Sequence, residues 1–245
     1  MKKIIDQIYK SFKIISHPYG SIKYLFRKGS SLSSLEILLN MNNYASDVKT
    51  IIDVGANQGQ FAVASSDIYP AAKIYSFEPI PDVVEIFRKN TESLQNVSLF
   101  QSALGNSEGK TSFNYNKYSH ASSFLKIHKN QTDLIPETSE TISIEIKLDR
   151  LDNFISKIDL SSPVLLKLDV QGFEKDVLLG AVNILKKIDY ILIEMSFIQM
   201  YEKELLFDEM NKYMNSIGFR LKAPLAVFQL TNMQILQMDV LYIRA

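Results

Sequence analysis

The chain contains no cysteine and little histidine. Without cysteine it forms no disulfide, uses no thiolate nucleophile and builds no cysteine-based zinc site. The three histidines, His17, His120 and His128, are too scattered for a histidine metal motif. We therefore predict no metal site.

An excess of charge of either sign is also absent, because 27 basic and 27 acidic residues leave a formal net charge of zero. A neutral chain lacks the broad basic face that binds phosphates, so nucleic acid is not an expected partner. No apolar run approaches membrane-spanning length, and the first residues lack a signal-peptide core. These features predict a cytoplasmic location.

Residues 1–30 depart from this balance, because they carry seven basic residues against Asp6 alone. Their apolar residues recur at helical spacing, at Ile4, Ile5, Ile8, Phe12 and Ile15. One interpretation is a basic amphipathic helix that contacts a membrane surface or a glycolipid. The other is an ordinary helix that caps the domain. Either way, we predict an arm or cap over residues 1–49 and a main domain over residues 50–245.

The main domain shows alternating strand and helix patterns, which favour one α/β domain around a mostly parallel sheet covered on both faces. The 245 residues are 46% apolar and 22% charged, enough to build and cover such a core. The predicted strands are 50–54, 73–77, 97–102, 164–169 and 190–195. The predicted helices are 58–68, 81–93, 174–187 and 202–216.

Two segments break the alternation. Residues 111–115 and 141–147 have the period of two that is typical of strands, and they predict an inserted β-hairpin around a polar loop. Residues 220–230 and 238–243 predict an antiparallel hairpin at the end of the sheet. The expected sheet then has seven strands.

The most informative stretch is Ile51–Gly59, an apolar strand that ends near Asp53 and opens onto a glycine turn. Gly55 and Gly59 allow a tight turn and a close approach to a ligand, and Asn57 is a residue that tolerates a left-handed backbone. The helix after the turn would direct its positive end at a carboxylate or phosphate. This pattern predicts a pocket for an adenosine-type cofactor.

Four predicted strands end in an acid: Asp53, Glu78, Asp169 and Glu194. Ligands of open α/β sheets bind beyond these strand ends, so the carboxylates indicate a cationic or hydroxyl-rich ligand. Glu78 lies 23 residues after Gly55, the spacing at which such folds place the acid that binds the ribose. The alternative for Asp169 is an ion pair with Lys167 or a helix cap.

The polar loop between the hairpin strands supplies further candidates. His120 is a candidate general base, because imidazole titrates near neutral pH, although a loop histidine is often merely solvated. Ser122 and Ser123 are candidates for binding substrate, and they are also common loop residues. Glu174 is a candidate substrate contact or a favourable acid in the first turn of a helix.

Together these motifs resemble the FkbM-family methyltransferases, a branch of the class I S-adenosylmethionine-dependent enzymes. The likeness covers about residues 50–200 and rests on Asp53–Phe61, Phe77–Pro79, Ala103–Gly105, Ser122–Ser123 and Leu166–Glu174 followed by Gly180–Ala181. It implies the Rossmann-like sandwich of that class, whose terminal hairpin distinguishes methyltransferases from dehydrogenases.

The resemblance also implies a set of cofactor contacts. Residues 53–59, with Ala56 among them, and Phe61 would cradle the amino-acid part of S-adenosylmethionine. Glu78, next to Pro79, would bind the ribose, and Ser102 and Ala103 would border the adenine. Asp169 would lie near the methionine end. The family commonly carries glutamate where this chain has Gln171.

The function implied is transfer of a methyl group to a hydroxyl of a sugar, glycan or related natural product, with Asp169, His120 or Glu194 accepting the proton. Two other interpretations stay open from the sequence. Gly55, Gly59 and Glu78 are also compatible with an NAD-dependent oxidoreductase. A non-catalytic nucleoside-binding module recruited to a glycan or membrane partner is the third.

Overall fold

The computed structural model describes residue 24 and residues 26–245. Its ten strands are β1 (Thr50–Val54), β2 (Lys73–Phe77), β3 (Val97–Phe100), β4 (Ala103–Leu104), β5 (Gly109–Asn116), β6 (Thr141–Asp149), β7 (Val164–Leu168), β8 (Tyr190–Ser196), β9 (Phe219–Gln229) and β10 (Ile235–Arg244). Its α-helices are α1 (Leu32–Asn42), α2 (Gln60–Ile68), α3 (Pro81–Thr91), α4 (Lys129–Leu134), α5 (Glu174–Leu179) and α6 (Phe207–Ser216).

Seven strands form the main sheet in the order β3-β2-β1-β7-β8-β10-β9. The first five are parallel, and β10 pairs antiparallel with both β8 and β9. This arrangement confirms the predicted mostly parallel sheet with its terminal hairpin. Because β1 and β7 are adjacent at the centre, their carboxyl ends open onto the same edge, where ligands of such sheets bind.

The inserted hairpin is confirmed as a second sheet, in the order β4-β6-β5. Strands β5 and β6 are antiparallel, and the two residues of β4 join β6 in parallel. The predicted strand over 97–102 was too long, because the chain leaves the main sheet after Phe100 and enters the second sheet at Ala103. The switch carries residues 101–104 over the carboxyl edge of the main sheet.

Hydrophobic cores cover both faces of the main sheet, as a buried parallel sheet requires. All five residues of β1 are buried, and alternate side chains belong to opposite cores. Ile52 and Leu166 pack with α5 and α6, whereas Ile51 and Leu165 pack with α1 and α2. The strand period of two therefore sends β1 and β7 side chains into both layers.

Predicted helices 58–68 and 81–93 are each two residues shorter in the structure, and the other two predicted helices are shorter by more. The predicted helix 174–187 ends at Leu179, because Gly180 lies against the carbonyl of Gly105, 1.9 Å from where a Cβ would stand, and the chain resumes as a 3-10 turn at Ile184–Lys187. The predicted helix 202–216 begins only at Phe207, after a turn in which Glu204 accepts the backbone N–H of Tyr201.

Part of the predicted cap is visible as α1. Ser31 caps its start, accepting from the N–H of Ser34, and Leu35, Leu38 and Leu39 are buried. The Asn40 side chain donates to the carbonyl of Leu225 in β9, which fixes the helix to the sheet edge. The basic amphipathic segment itself lies mostly outside the described residues, and the boundary at residue 49 stays a prediction.

Among the described helices, none combines the length and the apolar composition that crossing a bilayer requires. The longest of them, α1 and α3, have 11 residues each. The predicted cytoplasmic location stays a prediction.

The glycine turn after β1 is as tight as predicted, but for a different reason. Gly55 has a φ of +76°, and a Cβ there would lie 1.9 Å from the carbonyl oxygen of Asp169. Gly59 has a φ of +88° and packs on the ring of Phe87. The missing side chains therefore let protein segments approach each other, and Asn57 adopts the left-handed conformation expected of it, with a φ of +46°.

We expect Gly55→Ala to lower the free energy of unfolding by about 2 to 5 kcal/mol, because left-handed strain and overpacking add. Gly218→Ala is the matched control, since Gly218 has a φ of +86° and open space where its Cβ would be. That control should lose only about 1 to 2 kcal/mol. Urea unfolding measures both, and equal losses would contradict the contact between the two turns.

Candidate active site

Two adjoining cavities lie at the carboxyl edge of the main sheet. The first encloses about 620 Å³, part of it open to solvent, and is mainly apolar. The second is wider, about 1160 Å³, and more polar. Both are lined by Gly55, Asn57, His120 and Asp169. A ligand that fills the first cavity therefore has one end at the wall of the second.

Glu78 lies in the first cavity, directly after β2. Its carboxylate accepts the N–H of Asn57 and the N–H of Ile80, each at 2.9 Å. Burial raises the pKa of Glu78 to about 7, while these two N–H groups oppose that rise. Each carboxylate oxygen retains a free lone pair, so the side chain can accept hydroxyl groups of a ligand.

The inserted sheet supplies the far wall of the first cavity. Ser102 and Ala103 line it next to Pro79, as the sequence predicts for residues around a nucleoside. Three aromatic rings complete the wall: Phe113 and Phe124 have centroids 4.9 Å apart, and Phe124 and Phe173 have centroids 4.5 Å apart. Apolar and aromatic walls around a few polar groups are usual for cofactor pockets.

Lys167 is the buried cation of the site. Its Nζ lies 3.1 Å from Asp53 Oδ1 and 3.5 Å from Asp169 Oδ2, and it donates to the carbonyl of Gly55 at 3.0 Å. Burial alone would lower its pKa, but the two carboxylates raise the pKa above its ordinary value. Lys167 therefore stays charged. The ion pair with Asp169, which the sequence left as an alternative, is confirmed.

Three carboxylates, Asp169, Glu194 and Asp239, line the second cavity. Asp239 lies opposite Glu194 in the antiparallel register of β8 and β10. Burial, Asp169 and Asp239 raise the pKa of Glu194 well above its ordinary value, and burial and Asp169 raise that of Asp239 to about 7. At least one of these groups is therefore prepared to take up a proton near neutral pH.

His120 lies in the short 3-10 turn Ser119–Ala121 and lines both cavities. The turn is attached to the glycine loop, because the hydroxyl of Ser119 donates to the side chain of Asn57 at 3.1 Å. The predicted histidine of the inserted loop thus reaches the cavity that Asp169 also borders.

The structure brings most of the predicted residues together. Gly55, Ala56, Asn57, Phe61, Glu78, Pro79, Ser102, Ala103, His120, Ser122, Asp169 and Glu194 line one cavity or both. Their individual roles stay predictions.

Four predicted contact residues lie behind the cavity walls instead. Asp53 is fully buried on Lys167, and Gly59 packs on Phe87. The hydroxyl of Ser123 donates to the carbonyl of Gln171, and the carboxylate of Glu174 accepts the N–H groups of residues 170 and 172. These groups shape the turns beneath the cavity walls, and their predicted contacts with cofactor or substrate stay predictions.

Sequence reasoning missed two residues of the site. Lys167 was considered only as a partner of Asp169, although a lysine within the apolar run of β7 is itself a signal. Asp239 has no such signal, because its position opposite Glu194 depends on the register of the terminal hairpin. Within the described residues, no group of three or more His, Asp or Glu is arranged to hold a metal ion.

Comparison with known proteins agrees with this geometry. The profile of the methyltransferase FkbM domain matches residues 53–221. The chain belongs to the FkbM methyltransferase family. With its sheet order and terminal hairpin, it has the class I methyltransferase fold. Family membership favours the methyltransferase interpretation of Gly55, Gly59 and Glu78 over the NAD-dependent oxidoreductase interpretation.

Individual relatives are distant. The chain is 30% identical to the 2-O-methyltransferase NoeI of Sinorhizobium fredii, over 63% of this chain and 66% of NoeI. It is 29% identical to Methyltransferase 1 of Beauveria bassiana, over 55% of this chain and 59% of that protein. It is 24% identical to the hexuronic acid methyltransferase AglP of Haloferax volcanii, over 71% of this chain and 67% of that protein. The chain spans less than two thirds of the length of the first two relatives.

We expect Lys167→Met to lower the free energy of unfolding by about 3 to 5 kcal/mol at neutral pH, because it leaves Asp53 buried without its counter-charge. Losing that charge raises the folded-state pKa of Asp53 further, so the protonated form is favoured in the folded state. The stability deficit should therefore be smallest at acidic pH and grow as the pH rises through that pKa.

Urea unfolding across pH checks this expectation. Lys73→Met is the matched control, because the Lys73–Asp159 pair is more than half exposed and an exposed ion pair contributes little to stability. A deficit for Lys167→Met that is independent of pH would contradict the assigned pairing.

Proposed function

We propose that the protein is an S-adenosylmethionine-dependent O-methyltransferase that acts on a hydroxyl group of a sugar or glycan. The observation that carries the proposal is the meeting of the two cavities at Asp169 and His120. The names of two relatives, a 2-O-methyltransferase and a hexuronic acid methyltransferase, support the choice of a sugar acceptor.

The residues that line the first cavity suit an adenosyl group chemically. Its aromatic wall suits a purine, and Ser102 offers a polar group at that end. Glu78 presents a buried carboxylate whose remaining lone pairs suit a pair of ribose hydroxyls. Such hydrogen bonds to a charged acceptor contribute about 1.5 to 3 kcal/mol each.

The junction of the cavities fits the cationic end of the same cofactor. S-adenosylmethionine, when bound, supplies an electrophilic methyl group on a positively charged sulfur. The Asp169 carboxylate lies at this junction and is 37% exposed. Its charge complements a cation there, while Lys167 on its other side fixes its orientation.

The second cavity fits a hydroxyl-rich acceptor. Its wall combines the carboxylates of Glu194 and Asp239 with serines at the start of α1. These groups can accept and donate hydrogen bonds around a sugar ring. Holding the ring at the junction aligns one hydroxyl with the methyl group, and such alignment contributes about 7 to 11 kcal/mol to lowering the barrier.

Asp169, Glu194 and His120 are the candidates to accept the hydroxyl proton. Asp169 and His120 border both cavities, so each reaches the junction, whereas Glu194 faces only the second cavity. The raised pKa of Glu194 suits proton uptake once the proton has left the junction. A general base contributes roughly 10²- to 10⁴-fold to the rate.

The binding partners of the protein are a separate part of the proposal. We propose a small-molecule or glycan acceptor, not nucleic acid, and we propose that residues 1–30 contact a membrane surface or a glycolipid. Vesicle flotation of the full chain with and without anionic lipid tests that contact.

Glu78→Gln should weaken S-adenosylhomocysteine binding by about tenfold, because the hydrogen bonds to the ribose lose their charged acceptor. Glu204→Gln is the matched control: Glu204 is a buried carboxylate that also accepts two backbone N–H groups, but it lines neither cavity. Calorimetry should give near-wild-type affinity for the control. Unchanged affinity for Glu78→Gln would remove Glu78 from the cofactor site.

Asp169→Asn should lower kcat by about 10²- to 10⁴-fold if Asp169 is the base, and by more than it lowers S-adenosylhomocysteine affinity. The assay follows radiolabelled methyl transfer to a panel of monosaccharides and oligosaccharides, with and without uronic acids. Asp176→Asn, which changes an acid paired with Asn106, is the control.

Unchanged turnover in Asp169→Asn would assign the proton to His120 or Glu194. Tight S-adenosylmethionine binding without transfer to any sugar in the panel or to fractionated glycans would favour the non-catalytic module over the proposed reaction.

A further inference from the structure

Gln171 connects two of the candidate bases. It follows β7 in the turn before α5, and its side-chain Nε2 donates to Asp169 Oδ1 at 2.7 Å and to Glu194 Oε2 at 3.1 Å. Both hydrogens of the amide are thus directed at carboxylates. Gln171 also lines the first cavity, beside the junction.

The orientation of this amide is fixed from behind. Tyr201 donates its hydroxyl to Gln171 Oε1 at 2.7 Å, and the Tyr201 oxygen in turn accepts from Gln131 Nε2 at 3.0 Å. Tyr201 is fully buried, and burial raises the pKa of its hydroxyl, which keeps the donor protonated. A flipped amide would turn its carbonyl toward two carboxylates and leave the tyrosine without its acceptor.

The backbone of Gln171 is held in a conformation that few side chains adopt. Its φ is +58°, and the neighbouring Gly172 has a φ of +93°. The Ser123 hydroxyl binds the Gln171 carbonyl at 2.7 Å, and Glu174 accepts the N–H of residue 172. A left-handed non-glycine residue persists only where its surroundings determine it, and such residues cluster at functional sites.

We propose that Gln171 is a positioning residue, which holds the Asp169 and Glu194 carboxylates in one orientation at the edge of the acceptor cavity while Tyr201 holds the Gln171 amide. This inference rests on the proposed function for its catalytic consequence. The hydrogen-bond relay, which runs from Gln131 through Tyr201 and Gln171 to the two carboxylates, begins in α4. The inserted segment therefore contributes to the arrangement of the bases.

The two donated hydrogen bonds favour the ionised carboxylates. These hydrogen bonds favour the ionised form of Glu194, whereas burial and the negative groups around Glu194 disfavour that form. The groups that face Glu194 are Lys167 of β7, Asp169 directly after it, and Glu174 at the start of α5. Asp239 of β10, Tyr201 after β8 and His120 across the cavity also face it. Gln237 of β10 donates a further bond to Glu194 at 3.1 Å. Removal of the Gln171 donors should leave Glu194 harder to ionise.

Gln171→Met and Tyr201→Phe test the relay. Gln171→Met keeps the side-chain length but removes both donors, so the Glu194 titration, followed by ¹³C NMR of the carboxyl carbon, should move up by about one pH unit. The acidic limb of the kcat profile for methyl transfer should move the same way. Tyr201→Phe should give a smaller shift of the same sign, with S-adenosylhomocysteine affinity changed less than threefold.

Tyr242→Phe is the matched control, because Tyr242 is a buried tyrosine whose hydroxyl binds Asn211 on α6, away from the cavities. Gln171→Glu adds a second comparison: it keeps the shape but donates only when protonated, so its turnover relative to wild type should fall as pH rises.

Titrations and profiles of Gln171→Met and Tyr201→Phe that overlay the wild type, or that shift no more than Tyr242→Phe, would overturn the inference. The Glu194 titration needs no acceptor. A wild type that transfers no methyl group would therefore overturn the proposed function, while a shifted titration would still support the relay.

Discussion

The buried ion pair of Lys167 with Asp53 and Asp169 is the interaction on which the site depends. Asp53 and Lys167 are register partners on the two central strands, β1 and β7. A lysine in this apolar layer is tolerable only with its counter-charges, because a lone buried charge is very costly. The pair joins the first glycine turn to the turn after β7 and directs the Asp169 carboxylate at the cavity junction.

The rest of the site is arranged around this centre by contacts between turns. The carbonyl of Asp169 occupies the space that a side chain at Gly55 would need, and Gly180 lies as closely on Gly105. The inserted segment adds three connections: Ser119 to Asn57, Ser123 to Gln171, and Gln131 to Tyr201. An element that looks peripheral in the topology thus supplies a wall of the first cavity and supports the acids.

Local patterns in the sequence were sufficient to predict residues that line the first cavity. The glycine turn at Gly55 and the acid at Glu78 are each encoded within a few residues of a strand end, and parallel strands bring such ends together. The second cavity depends on longer-range geometry. Asp239 meets Glu194 only through the register of the terminal hairpin, and Glu174 and Ser123 turn inward to bind backbone groups that no sequence pattern identifies. For the same reason the break at Gly180 was missed, since its cause is a carbonyl 75 residues away in the chain.

The account requires one ligand to extend from the apolar cavity to the acidic junction, with the methyl-bearing atom beside Asp169. A crystal structure of the protein with S-adenosylhomocysteine tests this most directly. We expect the ribose hydroxyls within hydrogen-bond distance of the Glu78 carboxylate and the sulfur at the junction lined by Gly55, His120 and Asp169. A nucleoside bound elsewhere, or a sulfur directed away from the second cavity, would contradict the account.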